Sequence, residues 1–138
     1  MRHFEKTLDS ALVYDGKIIK VLRDEALLEN GAAAVREVVR HKGAVAVLAV
    51  DEGGSAFFVR QFRYPIGQEL LEAPAGKLEA GENPLDCAKR ELLEECGVAA
   101  EGWTELGPIY TSPGFCDEAI WLFLASGLSQ KAPSPDED

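Results

Sequence analysis

Cysteine is scarce in this chain and unpatterned. Cys87, Cys96 and Cys116 form no C-x-x-C pair, which argues against an oxidising compartment and for a reduced cytosol. Histidine is scarcer still, with His3 and His41 alone. No second histidine or cysteine pattern accompanies His41, so it reads as a structural residue rather than a metal ligand or a base. No long apolar run exists either: a run such as residues 44–50 is far too short to cross a bilayer. Arg2-His3-Phe4-Glu5-Lys6 leads into mixed polar sequence, unlike a secretory signal. A cytoplasmic protein is expected, without a membrane anchor. Internal repeats are absent.

Positive charge is what the second half lacks. Residues 1–63 carry ten Lys/Arg against nine Asp/Glu, a balance of +1, whereas residues 64–138 carry four against fifteen, a balance of −11. Such a half disfavours non-specific contact with nucleic acid or an anionic membrane. It suits a site that needs cations before it accepts a phosphorylated substrate. Part of the excess is the acidic tail Asp136-Glu137-Asp138. With 138 residues, 46% hydrophobic and 28% charged, the chain can form one domain with a real core.

The first forty residues read as a meander of short strands. Residues 17–22 follow a Tyr14-Asp15-Gly16 turn, and a second turn at Glu29-Asn30-Gly31 precedes residues 34–40. These segments are only half apolar and need packing on something else. Residues 44–50 read as a buried strand, 51–55 as a hairpin turn, 56–63 as its partner and 69–73 as a further strand. Two more strands are expected at 104–111 and 119–125, separated by Ser112-Pro113-Gly114. From Ser126 the sequence turns polar and reads as a linker. The expected organisation is therefore strands over 1–42, a main domain over 43–128 and a polar tail over 129–138.

Between residues 76 and 98 the chain carries its most specific pattern. Gly76 is followed by Glu82 after five residues, Arg90-Glu91-Leu92 after seven more, then Glu94-Glu95, Gly97 and Val98. Seven fixed positions at average frequencies of about 5–7% arise by chance in on the order of one window in a hundred million. Residues 84–96 suit a helix, with Leu85, Ala88, Leu92 and Cys96 as its apolar stripe, Asn83 as N-cap, Pro84 in the first turn and Gly97 as stop. On that helix Glu91, Glu94 and Glu95 fall at i, i+3 and i+4 and lie on one face. Their repulsion, a few tenths of a kcal/mol per exposed pair, becomes coordination when a hard divalent cation is present. Arg90 stands four residues before Glu94 and can orient it. The alternative is a solvated acidic face with an internal ion pair; the glycines at both ends tell against it.

The pattern is identified as the signature box of the Nudix hydrolases. Outside the box, Arg60-Gln61-Phe62-Arg63, Glu72-Ala73-Pro74-Ala75-Gly76, Pro113 sixteen residues beyond Gly97, and Arg36-Glu37-Val38-Val39-Arg40 together resemble the ADP-ribose pyrophosphatase subfamily. That resemblance implies a Nudix α/β/α sandwich with a mixed sheet, preceded by a small N-terminal antiparallel sheet. It implies Mg²⁺- or Mn²⁺-dependent hydrolysis of the diphosphate bond of ADP-ribose or a related ADP-sugar, giving AMP and a sugar phosphate. Another nucleoside diphosphate derivative as substrate, or a module that binds ADP-ribose without cleaving it, stay open. Implied metal ligands are Glu91, Glu95 and the Ala75 carbonyl, with Glu94 as a ligand or water-orienting group. Gly76, Glu82, Arg90 and Gly97 are implied structural parts of the box, Glu82 bracing Arg90. Implied substrate contacts are Arg36, Arg63, Glu72, Ser112 and Glu118, although Glu72 can instead hold Arg63. Phe62, Tyr64 and Phe115 are read as core or as stacking surfaces for adenine. Relatives continue into another strand and a helix and carry a water-positioning glutamate in an acidic loop. By that comparison the chain reads as ending in or before that loop, with Glu137 the nearest counterpart and slow hydrolysis expected. Relatives also exchange the N-terminal region across a two-fold axis, so a homodimer is expected.

Overall fold

Alternating polar and apolar residues over the first forty positions produce three strands that pair by hairpins. β1 (Lys6–Asp15), β2 (Lys20–Leu27) and β3 (Ala33–Arg40) form an antiparallel sheet in the order β1-β2-β3. Gly16 donates to the Ile19 carbonyl at 3.0 Å to close the first turn, and Gly31, at φ 82°, takes the left-handed conformation that closes the second. β2 begins three residues later than the sequence reading places it and runs further, because its register continues against β3 through Leu27↔Ala33. β1 is exposed along its length, and Leu8, Leu12, Val13 and Tyr14 each keep half or more of their surface. The structure, a computed structural model, describes residues 3–131. These form two compact units, the first reaching to Lys42 and including Tyr110–Glu118, the second comprising Gly43–Ile109 and the chain from Ala119.

The second unit is built on a mixed sheet in the order β7-β4-β9-β8, from β7 (Ala75–Lys77), β4 (Ala44–Ala49), β9 (Ala119–Gln130) and β8 (Val98–Tyr110). β4 runs parallel to β9 and antiparallel to β7. Its near-continuous apolar run reflects that central place: Val45, Val47 and Ala49 are fully buried. Helix α1 (Pro84–Cys96) packs against β4, β7 and β9. Its bounds coincide with the sequence reading. Asn83 Oδ1 accepts from the Leu85 N–H at 2.9 Å, Pro84 opens the first turn, and Gly97 at φ 63° ends it. The core joins Cys87, Ala88 and Leu92 of the helix to Val45, Val47, Val98, Phe123 and Ala125.

Two expectations fail here. Residues 56–63 do not return along β4: after the turn at Asp51 the pairing stops at one bridge, Val50↔Ala56. β5 (Val59–Arg63) instead pairs with β6 (Gln68–Glu72) in a separate antiparallel ribbon joined by a short turn at Tyr64–Ile66. β4 has no edge left for it, being flanked by β7 and β9. Ser126–Gln130, read as linker, is the end of β9. The neighbouring β8 supplies the backbone partners there, which polar side chains do not prevent.

Candidate active site

The site in the second unit begins with a glycine. Gly76, in the three-residue β7, faces Val45 of β4, and a Cβ at this position would overlap the carboxylate of Glu91. Only a residue without a side chain lets Glu91 lie against the strand. Glu95, one helical turn on, accepts the Ala75 N–H on Oε2 at 2.9 Å. Although Glu95 is exposed as a residue, its carboxyl head is tucked against β7. Burial pushes its pKa above the ordinary carboxylate value, and the negative charge of Glu91 pushes it further.

Arg90 ties the cluster together. Its Nε and Nη2 donate to the two oxygens of Glu82 at 3.0 and 3.1 Å, and Nη1 donates to Glu91 Oε1 at 2.7 Å and Glu94 Oε2 at 3.0 Å. Nη2 also reaches the Cys87 sulfur at 3.3 Å. The guanidinium is thereby held protonated, above all by Glu82. Glu82 in turn accepts the Glu79 N–H at 2.9 Å, which pins the loop before the helix. The Arg90 hydrogen bond, helped by that N–H, pulls Glu82 down to about 2.

That depression sets an acid-stability signature. A lowered folded pKa contributes stability that is fully present above the unfolded value of about 4.5 and is lost as pH falls through about 2. Glu82→Gln should therefore lower the melting temperature at pH 7 and flatten its fall between pH 4.5 and 2. A variant whose melting profile parallels wild type across that window contradicts the assignment.

Arg63 and Glu72 form a bidentate pair across the β5–β6 ribbon through Nε, at 2.8 Å, and Nη2. The pair holds Glu72 below and Arg63 above their ordinary values, and Arg63 also feels the charge of Glu95. Of the second unit's expected site residues, the fold thus gathers Ala75, Gly76, Glu82, Arg90, Glu91, Glu94 and Glu95 at α1 and β7. Arg63 and Glu72 stand within electrostatic range of Glu95. Among the described residues no three His, Cys, Asp or Glu groups converge in a metal-holding arrangement; Glu91 and Glu94 are turned to Arg90, and Glu95 to Ala75.

Arg36, Ser112 and Glu118 belong to the first unit. Arg36 is paired bidentately with Glu5 at 2.9 and 2.7 Å. The Ser112 carbonyl accepts from Phe115 and Cys116, closing a turn. Arg36 and Phe115 help line a cavity of about 330 Å³ in that unit. Phe62, Tyr64 and Phe115 keep 62%, 88% and 59% of their surface, so none of them is core. Glu137 lies outside the described residues.

Sequence reasoning missed Cys87. Its thiol is fully buried, pushed up to about 12 by burial, and set against Arg90 and the Lys77 carbonyl. The available signal was its place beside Ala88 on the apolar stripe.

Residues 40–138 match the NUDIX domain model. The chain is 46% identical over 136 residues to the ADP-ribose pyrophosphatase of Bacillus subtilis (strain 168), covering 97% of this chain and 74% of that protein. It is 45% identical over 136 residues to the methanol dehydrogenase activator of Bacillus methanolicus, with the same coverages. It is 42% identical over 129 residues to the ADP-ribose pyrophosphatase of Mycobacterium tuberculosis (strain ATCC 25618 / H37Rv), covering 93% of this chain and 62% of that one. A crystal structure of an ADP compounds hydrolase superposes with a TM-score of 0.82 at 23% identity, over 96% of this chain and 72% of that one. At that identity it speaks for the fold alone.

Proposed function

The chain belongs to the Nudix hydrolase family, and from that premise we propose that it hydrolyses the diphosphate bond of ADP-ribose, releasing AMP and ribose 5-phosphate. The observation that carries this reading is Glu91, seated against β7 at Gly76 and bound to Arg90, with Glu95 one turn on accepting the Ala75 N–H. The relatives named ADP-ribose pyrophosphatase support the choice of substrate.

The donor set fits a hard divalent cation, Mg²⁺ or Mn²⁺. Burial raises the pKa of Glu95 and the charge of Glu91 raises it further, and oxygen is the ligand atom such cations prefer. Glu91, Glu95 and the Ala75 carbonyl would hold it, with Glu94 a further ligand or the group that orients water. When bound, the cation offsets charge on the diphosphate oxygens and lowers the pKa of water. Arg90 keeps the carboxylates of Glu91 and Glu94 aimed and limits their repulsion. Arg63, aligned by Glu72, offers a guanidinium edge to a phosphate or ribose oxygen. Arg36, Ser112 and Glu118, which belong to the first unit, are read as further residues that contact substrate.

We read the protein as a homodimer. The continuous exposure of β1, with its row of apolar side chains, supports this. Light scattering that reads a monomer at micromolar concentration overturns that part.

A substrate panel tests the function. With Mg²⁺, ADP-ribose is expected to turn over faster than ADP-glucose, NADH or nucleoside triphosphates. A faster rate on any of the others reassigns the substrate while leaving the box chemistry intact.

A further inference from the structure

We propose that His41 is a positioning residue for the substrate-contacting segment 111–118, holding the Glu118 carboxylate in place. This rests on the reading of Glu118 as a substrate contact and adds the residue that sets it. The imidazole is nearly buried, its side chain 10% exposed, and its Nδ1 stands 3.3 Å from Glu118 Oε1. A carboxylate oxygen only accepts, so at this distance the contact is a hydrogen bond when the proton sits on Nδ1. The other oxygen, Oε2, accepts from Thr111 Oγ1 at 2.6 Å. Glu118 therefore clasps the neck of its own segment, bridging Thr111 at one end to His41 beyond β3.

The backbone around His41 reinforces the same geometry. Its N–H donates to Asp117 Oδ1 at 2.8 Å, and Arg40 Nη1 donates to Asp117 Oδ2 at 3.0 Å. Val39 exchanges bonds with the segment, donating to the Phe115 carbonyl at 2.7 Å and accepting the Asp117 N–H at 3.1 Å. These contacts fix where the segment runs. They leave the aim of the Glu118 carboxylate to its two side-chain partners, and His41 is the one outside the segment. A side chain there for packing alone would need neither a ring nitrogen nor a carboxylate within reach of it.

The test separates volume from hydrogen bonding. His41→Leu keeps bulk and loses the donor; His41→Gln keeps a neutral donor at similar reach. We expect KM for ADP-ribose to rise about tenfold in His41→Leu with kcat within about twofold, since misaligning a contact that takes no part in bond cleavage weakens binding. His41→Gln should recover most of the wild-type KM. Melting temperatures are recorded for both. If His41→Leu lowers melting temperature but leaves KM unchanged, or if His41→Gln behaves as Leu does, His41 is structural only. Glu118→Gln is measured alongside. A raised KM there with an unchanged one in His41→Leu overturns the role of His41 alone, whereas an unchanged KM in Glu118→Gln overturns the reading of Glu118 itself and the proposal with it.

Discussion

Gly76→Ala should abolish most of the activity and leave most of the fold. The added Cβ would overlap the Glu91 carboxylate. Position 76 is extended backbone facing Val45 in β4, so alanine meets no conformational penalty there. The obstacle is the end of a long side chain, which can swing away at little cost in stability. It cannot swing without leaving Arg90 Nη1, 2.7 Å from its Oε1, and the place beside Glu95. Displacing a reacting group by about 1 Å costs on the order of a hundredfold in rate. We expect a loss of that size in kcat, weaker Mn²⁺ binding by calorimetry, and a melting temperature within a few degrees of wild type. A variant that keeps both its rate and its metal affinity would mean that Glu91 does not work from this position.

Glu95→Gln should separate activity from stability still more sharply. Burial first, then Glu91, raise the pKa of Glu95. A raised folded value is the reverse of the Glu82 case: the stability it contributes is present below the unfolded pKa and lost as pH rises through the folded one. At neutral pH the ionised carboxylate is therefore a liability to the fold. Glutamine removes the charge and can still accept the Ala75 N–H that Glu95 Oε2 holds at 2.9 Å. The metal-free variant should melt at or above the wild-type temperature at pH 7. Its turnover should fall about 10²–10⁴-fold, and added Mg²⁺, expected to raise the wild-type melting temperature, should leave that of the variant unchanged. Equal Mn²⁺ affinity in the two proteins would remove Glu95 from the ligand set.

The helix was legible residue by residue because all its signals are local. Asn83, Pro84 and Gly97 mark its ends within the sequence, and the Arg90–Glu94 contact spans one turn. What escaped the sequence reading depends on partners far along the chain. β7 has three residues and exists because β4 pairs with it. β5 reads as the return strand of β4 on spacing alone, yet β9, sixty residues beyond in sequence, occupies the parallel side of β4. Arg36 was legible as a cation, but its bidentate partner Glu5 lies 31 residues away. His41 reads as structural from its isolation among histidines; the carboxylate that stands 3.3 Å from its Nδ1 is 77 positions on, in Glu118. The box is a local pattern. The clasp of Glu118 between Thr111 and His41 is not.

Phosphorus NMR of ADP-ribose incubated with the protein and Mg²⁺ tests most directly the proposed cleavage between its two phosphorus atoms with a divalent cation at Glu91 and Glu95. AMP and ribose 5-phosphate should appear in equal amounts, with none formed when Mg²⁺ is chelated. ADP-ribose left intact under those conditions, or the appearance of ADP with free ribose, would contradict it.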